Sequence, residues 1–166
     1  GSTLVKDGFC LEKEPLLNWA ARVGSLPLVQ AIVPAGGKPS FFYLDNQPLW
    51  NAMRRQHKDI VDHLATHPLI ERRKSTGQEV VRVAVHNGWH DTVQKVVAHY
   101  GASILTGEDD WYRSMALLHS ASQRGDVPMM RMLLDFGCDV HEKDANDTTS
   151  LDVAVQSFKP DAVGVL

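Results

Sequence analysis

Residues 117–139, LLHSASQRGDVPMMRMLLDFGCD, contain the pattern from which the fold of the whole chain is predicted. Leu118 and Ala121 are three positions apart, the spacing of residues on one face of an α-helix. Gly125 then interrupts the pattern and a second apolar run follows, with Pro128 near its start. Proline is well tolerated in a first helical turn, because the N–H that it lacks has no partner inside the helix. The stretch therefore predicts two short helices joined by a tight turn.

The same unit recurs along the chain. Similar segments begin at Pro15, Pro48, Val80 and Ser150. The first core positions of the units are spaced 32, 32, 37 and 33 residues apart, at Leu17, Leu49, Val81, Leu118 and Leu151. Neither helix of such a unit can bury its apolar face alone, so the units are expected to stack. We predict a single domain over 1–166, with repeats at approximately 10–41, 42–73, 74–110 and 111–143 and a partial repeat at 144–166.

The unit resembles the ankyrin repeat, whose period is about 33 residues and whose signature is T-P-L-H-x-A-A-x-x-G. The corresponding segments are EPLLNWAARVG, NQPLWNAMRRQ, ALLHSASQRG and TSLDVAVQS. Only Pro48 occupies the signature proline position and only His119 the histidine position. The resemblance covers nearly the whole chain, with four full degenerate repeats and a fifth begun. It implies an all-α, ankyrin-type helix-turn-helix repeat solenoid with short hairpin loops.

The triplet Asp135-Phe136-Gly137 also occurs in protein kinases, where its aspartate holds magnesium. No glycine-rich phosphate loop or H-R-D catalytic loop accompanies it in this chain. In the repeat frame Gly137 ends a second helix in a left-handed turn, and Asp135 lies on the exposed end of that helix. The triplet is therefore predicted to be part of the repeat rather than a metal site.

Composition and charge place the chain among ordinary globular proteins. Its net charge is −3, and no apolar run approaches the roughly 20 residues that a membrane span needs. Cys10 and Cys138 are far apart in the sequence, which favours two free thiols in a reducing compartment over a disulfide. We therefore expect an intracellular protein, cytoplasmic or nuclear, that binds neither nucleic acid nor membrane. A monomer is favoured, and the alternative is a homodimer formed through the uncapped last repeat. Residues 4–9, LVKDGF, resemble the end of a preceding helix, so we expect a piece of a longer protein.

Two histidine pairs have the four-residue spacing of metal ligands on a helix, His63 with His67 and His86 with His90. Gly88 separates the second pair, and no third ligand at a zinc-like distance accompanies either one. Structural histidines are therefore expected.

Catalytic and calcium motifs are also missing from the sequence. No G-x-S-x-G motif occurs, and neither cysteine has a neighbouring base that would lower its pKa. Residues 144–152, DANDTTSLD, lack the glycine and the distant glutamate of a calcium loop, and predict a hairpin that leads to a Thr149 helix cap. We expect no enzymatic activity, no metal and no cofactor.

The ankyrin resemblance implies that a protein or peptide partner binds on the concave face, formed by hairpin tips and the ends of the first helices. Ten helix-end positions in this frame include four arginines and no acidic residue, which predicts an acidic partner segment. Solvated surface arginines are the alternative. The predicted partner-binding residues are Arg22, Tyr43, Arg54, Arg55, His86, Asn87, Trp111, Tyr112, Arg113, Gln123 and Arg124. Ser75, Thr76 and Gln78 are expected to lie in the third hairpin.

The loop between Gly101 and Leu118 suggests an alternative function. It places three carboxylates, at residues 108–110, directly before Trp111 and Tyr112. Aromatic rings beside carboxylates attract a methylated ammonium group, so a reader of methyl-lysine in histone tails is the second hypothesis. In the competing structural interpretation, Trp111 packs under the loop and anchors it.

Overall fold

The structure, a computed structural model, describes residues 16–35, 48–67, 73–105, 114–144 and 146–166. Tertiary contacts divide the chain into two compact units, Gly1–Glu71 and Arg72–Leu166. The regular elements of the described residues are helices, apart from one antiparallel bridge between Lys143 and Thr149.

The first unit contains two helix pairs. The first pair is α1 (Leu16–Val23) and α2 (Leu26–Ile32), and the second is α3 (Pro48–Arg54) and α4 (Lys58–Ala65). Helix α1 packs on α3 and α2 packs on α4, so equivalent helices of consecutive pairs lie side by side. Small residues at the helix contacts, Ala20 and Ala52, are fully buried and let the helices approach closely.

Within its described residues, the second unit contains three helix pairs and one 3-10 turn at Ala102–Ile104. Its helices are α5 (Lys74–Asn87), α6 (His90–Tyr100), α7 (Ser114–Arg124), α8 (Val127–Asp135), α9 (Ser150–Gln156) and α10 (Pro160–Val163). The first helices form a row in which α7 packs on both α5 and α9. Ala84, Ala121 and Ala154 are fully buried along this row, at the positions that Ala20 and Ala52 hold in the first unit.

Each first helix ends in a left-handed residue. These residues are Gly24 (φ 81°), Gln56 (φ 59°), Gly88 (φ 72°), Gly125 (φ 69°) and Phe158 (φ 54°). The N–H of the residue after each one donates to the carbonyl of the buried alanine, at 2.8–3.0 Å in the five turns. This six-to-one bond is the usual way in which a left-handed cap satisfies the last carbonyls of a helix. The turns recur at intervals of 32, 32, 37 and 33 residues, the period predicted from the core positions.

Several local predictions are confirmed. Pro27, Pro128 and Pro160 lie in the first turns of α2, α8 and α10. Gly137 has a φ of 93° after the end of α8, and Asp135 is exposed, as the repeat interpretation of the DFG triplet requires. Thr149 caps α9.

Two local predictions are wrong. Ser75, Thr76 and Gln78, predicted as hairpin positions, belong to the first turns of α5, where the buried Gly77 lets the helix pack closely against the ring of Tyr100. Gly77 lies inside this helix, where a Cβ would come within 2.9 Å of the Tyr100 ring. Leu151, predicted as a core position, is 40% exposed, because no further helix pair covers that face of α9 among the described residues.

Candidate binding surface

Three arginines of the first unit surround one surface depression. Arg22 lies in the last turn of α1, Arg54 ends α3, and Arg55 begins the turn after it. Together with Asn51 they line a depression of about 450 Å³, which we call the arginine depression. The structure therefore brings together the three arginines that the sequence predicted for the first two repeats.

The repeat frame explains why these side chains meet. Arg22 and Arg54 are 32 residues apart, one full repeat, and each follows its repeat's buried alanine by two positions. Because α1 and α3 pack side by side through those alanines, their ends lie together. Asn51 was missed by the sequence analysis, although it precedes Arg55 by four residues on the same helical face and that spacing could have revealed it.

Hydrogen bonding fixes the backbone of the depression. Nε2 of His57, just after the second turn, donates to the carbonyl oxygen of Arg22 at 3.3 Å. Nε2 must be the donor, because a carbonyl oxygen only accepts. This bond ties the end of α1 to the turn that follows Arg55.

Arg54 and Arg55 point into solvent. Both are exposed, and within the part of the chain that the structure describes their guanidinium groups make no hydrogen bond or ion pair. Arginine remains charged at any physiological pH. The guanidinium groups of Arg54 and Arg55 are therefore available to a ligand of the arginine depression.

Two of the equivalent side chains in the second unit make hydrogen bonds to the backbone of the protein. Nη1 of Arg124 donates to the carbonyl oxygen of His86 at 2.8 Å, and Nδ2 of Asn87 donates to the carbonyl oxygen of Val83 at 2.8 Å. Gln123 is exposed at the end of α7. His86, Asn87, Gln123 and Arg124 lie at the ends of first helices, and the side chains of Arg124 and Asn87 hydrogen-bond to helix carbonyls there.

Asp126 changes the charge of this second group. Its Oδ1 lies 2.8 Å from Nε2 of His90 and also accepts a hydrogen bond from the N–H of Met129 at 3.1 Å. A Cβ at Gly88 would approach Nη2 of Arg124 at 2.7 Å and Oδ2 of Asp126 at 3.4 Å. A carboxylate therefore lies close to the arginine there. The sequence analysis missed Asp126, although an aspartate before a Val-Pro helix start is a typical N-cap.

The remaining predicted residues lie outside the described residues. These are Tyr43 of the second hairpin and Trp111, Tyr112 and Arg113 of the long loop. Their roles, and with them the methyl-lysine hypothesis, remain predictions.

The described residues show neither a metal-binding cluster nor a reactive thiol. No group of three or more His, Cys, Asp or Glu side chains that could hold a metal occurs there. His86 and His90 belong to separate helices, and the rings of His63 and His67 are 5.5 Å apart. Burial, together with His67, lowers the pKa of His63. Burial raises the pKa of the Cys138 thiol to about 12, so this thiol is a poor nucleophile at neutral pH.

None of the described helices is both long enough and apolar enough to cross a membrane.

Comparison with known proteins identifies the repeat. Residues 115–145 match the family model described as Ankyrin repeat. The matched segment contains α7 from its second residue, all of α8 and the start of the hairpin before α9, and it includes the stretch from which the repeat was predicted. No curated protein matches the chain. The predicted ankyrin-type helical repeat fold is thus confirmed.

Proposed function

We propose that the chain, whose residues 115–145 match the ankyrin repeat model, is a non-catalytic module that binds an acidic segment of a partner protein. Ankyrin repeats are in general protein–protein interaction modules, and the family is typically non-catalytic. The proposed contact surface is the arginine depression.

The single observation that supports this proposal is the grouping of Arg22, Arg54 and Arg55 around one depression. Each guanidinium offers five N–H donors in a planar fork that matches a carboxylate, and arginine is enriched among residues that dominate binding energy. Among the described residues, no acidic side chain lines the depression. Partner aspartates and glutamates would therefore be attracted, and a basic segment would be repelled.

The proposed location follows from the cysteine. Cys138 is a free, buried thiol. Free thiols persist in reducing compartments, so we place the protein in the cytoplasm or the nucleus.

The test is affinity enrichment from cell lysate with three forms of the protein as bait: the unaltered chain, Arg54→Glu/Arg55→Glu and Arg131→Glu. The last reverses an exposed arginine on α8, in the other unit, and is the matched control for altered charge. Captured proteins are quantified by mass spectrometry, and each candidate is then titrated with the purified baits. We expect a partner that binds the unaltered chain and the control, and binds the double variant at least roughly thirty-fold more weakly, about 2 kcal/mol.

Folding of the double variant is checked by circular dichroism and thermal unfolding. Glutamate near a helix C-terminus interacts unfavourably with the helix dipole, at about 0.3–1 kcal/mol, so a small loss of stability is expected without unfolding. If a folded double variant captures the same proteins with the same affinities, the arginine depression is not the binding site and the proposal is wrong.

A further inference from the structure

We propose that the arginine depression binds two carboxylates of the partner segment at once, on acidic residues whose side chains project from the same face of that segment. This inference rests on the proposed function, because it names the arrangement of acidic residues that the same site selects. It follows from Arg54 and Arg55, two consecutive arginines that line one depression.

Arg54 and Arg55 supply the charge that a ligand meets. Both are exposed, and among the described residues neither guanidinium group makes a hydrogen bond or an ion pair. Arg22 also lines the depression but already takes part in another interaction within the protein, so the binding of two carboxylates does not depend on it. Asn51 is half-buried and uncharged. The charge offered to a ligand is therefore that of two guanidinium groups.

The backbone beneath the two arginines is held by hydrogen bonds. Arg54 is the last residue of α3, and the N–H of Arg55 donates to the carbonyl oxygen of Asn51 at 3.1 Å. The N–H of His57 donates to the carbonyl oxygen of Ala52 at 2.9 Å, which closes the turn. The Cα atoms of consecutive residues are only about 3.8 Å apart. The two positive charges are therefore attached to one short, fixed stretch of backbone.

One carboxylate leaves this pair of charges half neutralised. A carboxylate carries one negative charge and two acceptor oxygens, and a single guanidinium fork already uses both oxygens in a bidentate contact. The second arginine would then lie beside an ion pair with no anionic partner of its own. Two carboxylates match the two guanidinium groups in charge and in hydrogen-bonding geometry.

The two acidic side chains must project from one face of the segment, because a surface depression admits side chains from one side. Alternate residues share a face in an extended segment, and residues three or four apart share one in a helix. Adjacent residues point to opposite faces of an extended segment and do not face each other on a helix. The volume of about 450 Å³ lies within the roughly 300–1,000 Å³ typical of small-ligand pockets and has room for two carboxylate side chains.

The equivalent positions of the other repeats differ. Of the five residue pairs at the ends of first helices, the pair at 54–55 is the one that consists of two arginines. In the second unit Arg124 donates to the carbonyl oxygen of His86, and Asp126 lies close by. A carboxylate there would meet a like charge and would have to displace an existing hydrogen bond. The proposal therefore concerns the first unit alone.

The test uses immobilised peptide libraries with identical, degenerate and uncharged flanking positions. One library has a single fixed glutamate, and four have two glutamates that are adjacent or spaced two, three or four residues apart. The purified full chain is applied to each library. We expect at least one same-face library, with a spacing of two, three or four, to retain the chain about tenfold more than the adjacent-pair and single-glutamate libraries. The adjacent pair has the same net charge, so it is the matched control for charge alone.

Single variants assign one carboxylate to each arginine. Arg54→Gln and Arg55→Gln each remove one guanidinium group and keep a long polar side chain. On the best same-face library, we expect each variant to fall to about the retention that the unaltered chain shows on the single-glutamate library. Arg131→Gln, at an exposed position of α8, should behave like the unaltered chain.

The outcomes separate this inference from the function on which it rests. Retention that is equal for same-face and adjacent pairs, or no greater for pairs than for one glutamate, overturns the inference. If that retention is lost in Arg54→Glu/Arg55→Glu, the module for acidic segments remains. Retention that the folded Arg54→Glu/Arg55→Glu variant shares with the unaltered chain, or no retention on any acidic library, overturns both.

Discussion

The guanidinium group of Arg124 donates a 2.8 Å hydrogen bond to the carbonyl oxygen of His86, 38 residues earlier in the chain. This carbonyl belongs to the last turn of α5, where helix carbonyls have no partner within the helix. The arginine of one repeat thus caps the first helix of the repeat before it. Gly88 lies beneath the guanidinium group, and a Cβ there would come within 2.7 Å of Nη2.

Removing this cap should destabilise the second unit. We expect Arg124→Ala to lower the free energy of unfolding by about 0.5–1.5 kcal/mol, because the hydrogen bond is charge-assisted but exposed. Gly88→Ala should lower the free energy of unfolding by about 1–2 kcal/mol, since alanine is disfavoured at φ 72° and its methyl group displaces the guanidinium group of Arg124. Urea unfolding followed by circular dichroism measures both changes. Gln123→Ala, at the exposed neighbouring position, is the control, and an equal loss there would show that the cap contributes nothing.

The turns that lack glycine offer stabilising changes. Gln56 (φ 59°) and Phe158 (φ 54°) hold the left-handed conformation that glycine holds in the other three turns. Phe158 is also 90% exposed, so its ring contributes little burial. We expect Gln56→Gly and Phe158→Gly each to raise the free energy of unfolding by about 0.5–1 kcal/mol. Glycine removes the cost of a left-handed side-chain residue, and the greater freedom of glycine in the unfolded chain offsets part of that gain. Thermal unfolding of the two single variants checks this, and a lower melting temperature in both would contradict it.

Periodicity predicted the parts of the fold that depend on local spacing. The buried alanines, the turn glycines and the register that places Arg22 near Arg54 all follow from one repeated pattern. Gln56 and Phe158 were not predictable as left-handed residues, because the tertiary frame forces a conformation that their own preferences oppose.

Contacts between repeats could not be predicted from the sequence pattern. The sequence gives no indication that Arg124 reaches back over Gly88, since this depends on side-chain direction between segments far apart in the chain. Arg124 was therefore predicted as a partner contact, and its use as a helix cap was found only in the structure.

Asn18 and His119 occupy the same position of their repeats, one residue after Leu17 and Leu118. Nε2 of His119 donates to the carbonyl oxygen of Thr148 at 2.8 Å, and its Nδ1 accepts from the hydroxyl of Ser150 at 3.2 Å. Asn18 is 1% exposed, and neither atom of its amide has a hydrogen-bond partner among the described residues. The first repeat thus has a buried polar group where the fourth has a satisfied one.

We expect Asn18→Leu to raise the stability of the first unit by about 1–2 kcal/mol, because an unpaired buried amide costs free energy that an apolar side chain of similar shape avoids. Asn51→Leu, at a half-buried position of the same unit, controls for added hydrophobicity. Urea unfolding measures the free energy of unfolding of both variants and of the unaltered chain. A less stable Asn18→Leu variant would mean that the amide is satisfied in the folded protein.

Acid should weaken the N-terminus of α9. Oδ2 of Asp152 accepts from the N–H of Thr149 at 2.8 Å and from its hydroxyl at 2.7 Å, while Oγ1 of Thr149 accepts from the N–H of Asp152 at 3.2 Å. The hydrogen bonds from the N–H and the hydroxyl of Thr149 lower the pKa of Asp152. A lowered pKa means that the folded protein favours the carboxylate. Its stabilising contribution is therefore complete above the ordinary carboxyl pKa of about 4 and is lost as the pH falls through the lowered value.

The matched variant is Asp152→Asn, which keeps an acceptor oxygen but cannot ionise. Protection of the Val153 amide, which donates to the carbonyl oxygen of Thr149 at 3.1 Å, reports locally on this helix start through hydrogen exchange. We expect the unaltered chain to be better protected than Asp152→Asn at pH 7, and the difference to shrink as the pH is lowered from 7 towards about 2. Asp135→Asn removes an exposed carboxylate from the end of α8 and controls for the loss of one charge. A difference that stays constant across this range would show that the ionised carboxylate does not stabilise the cap.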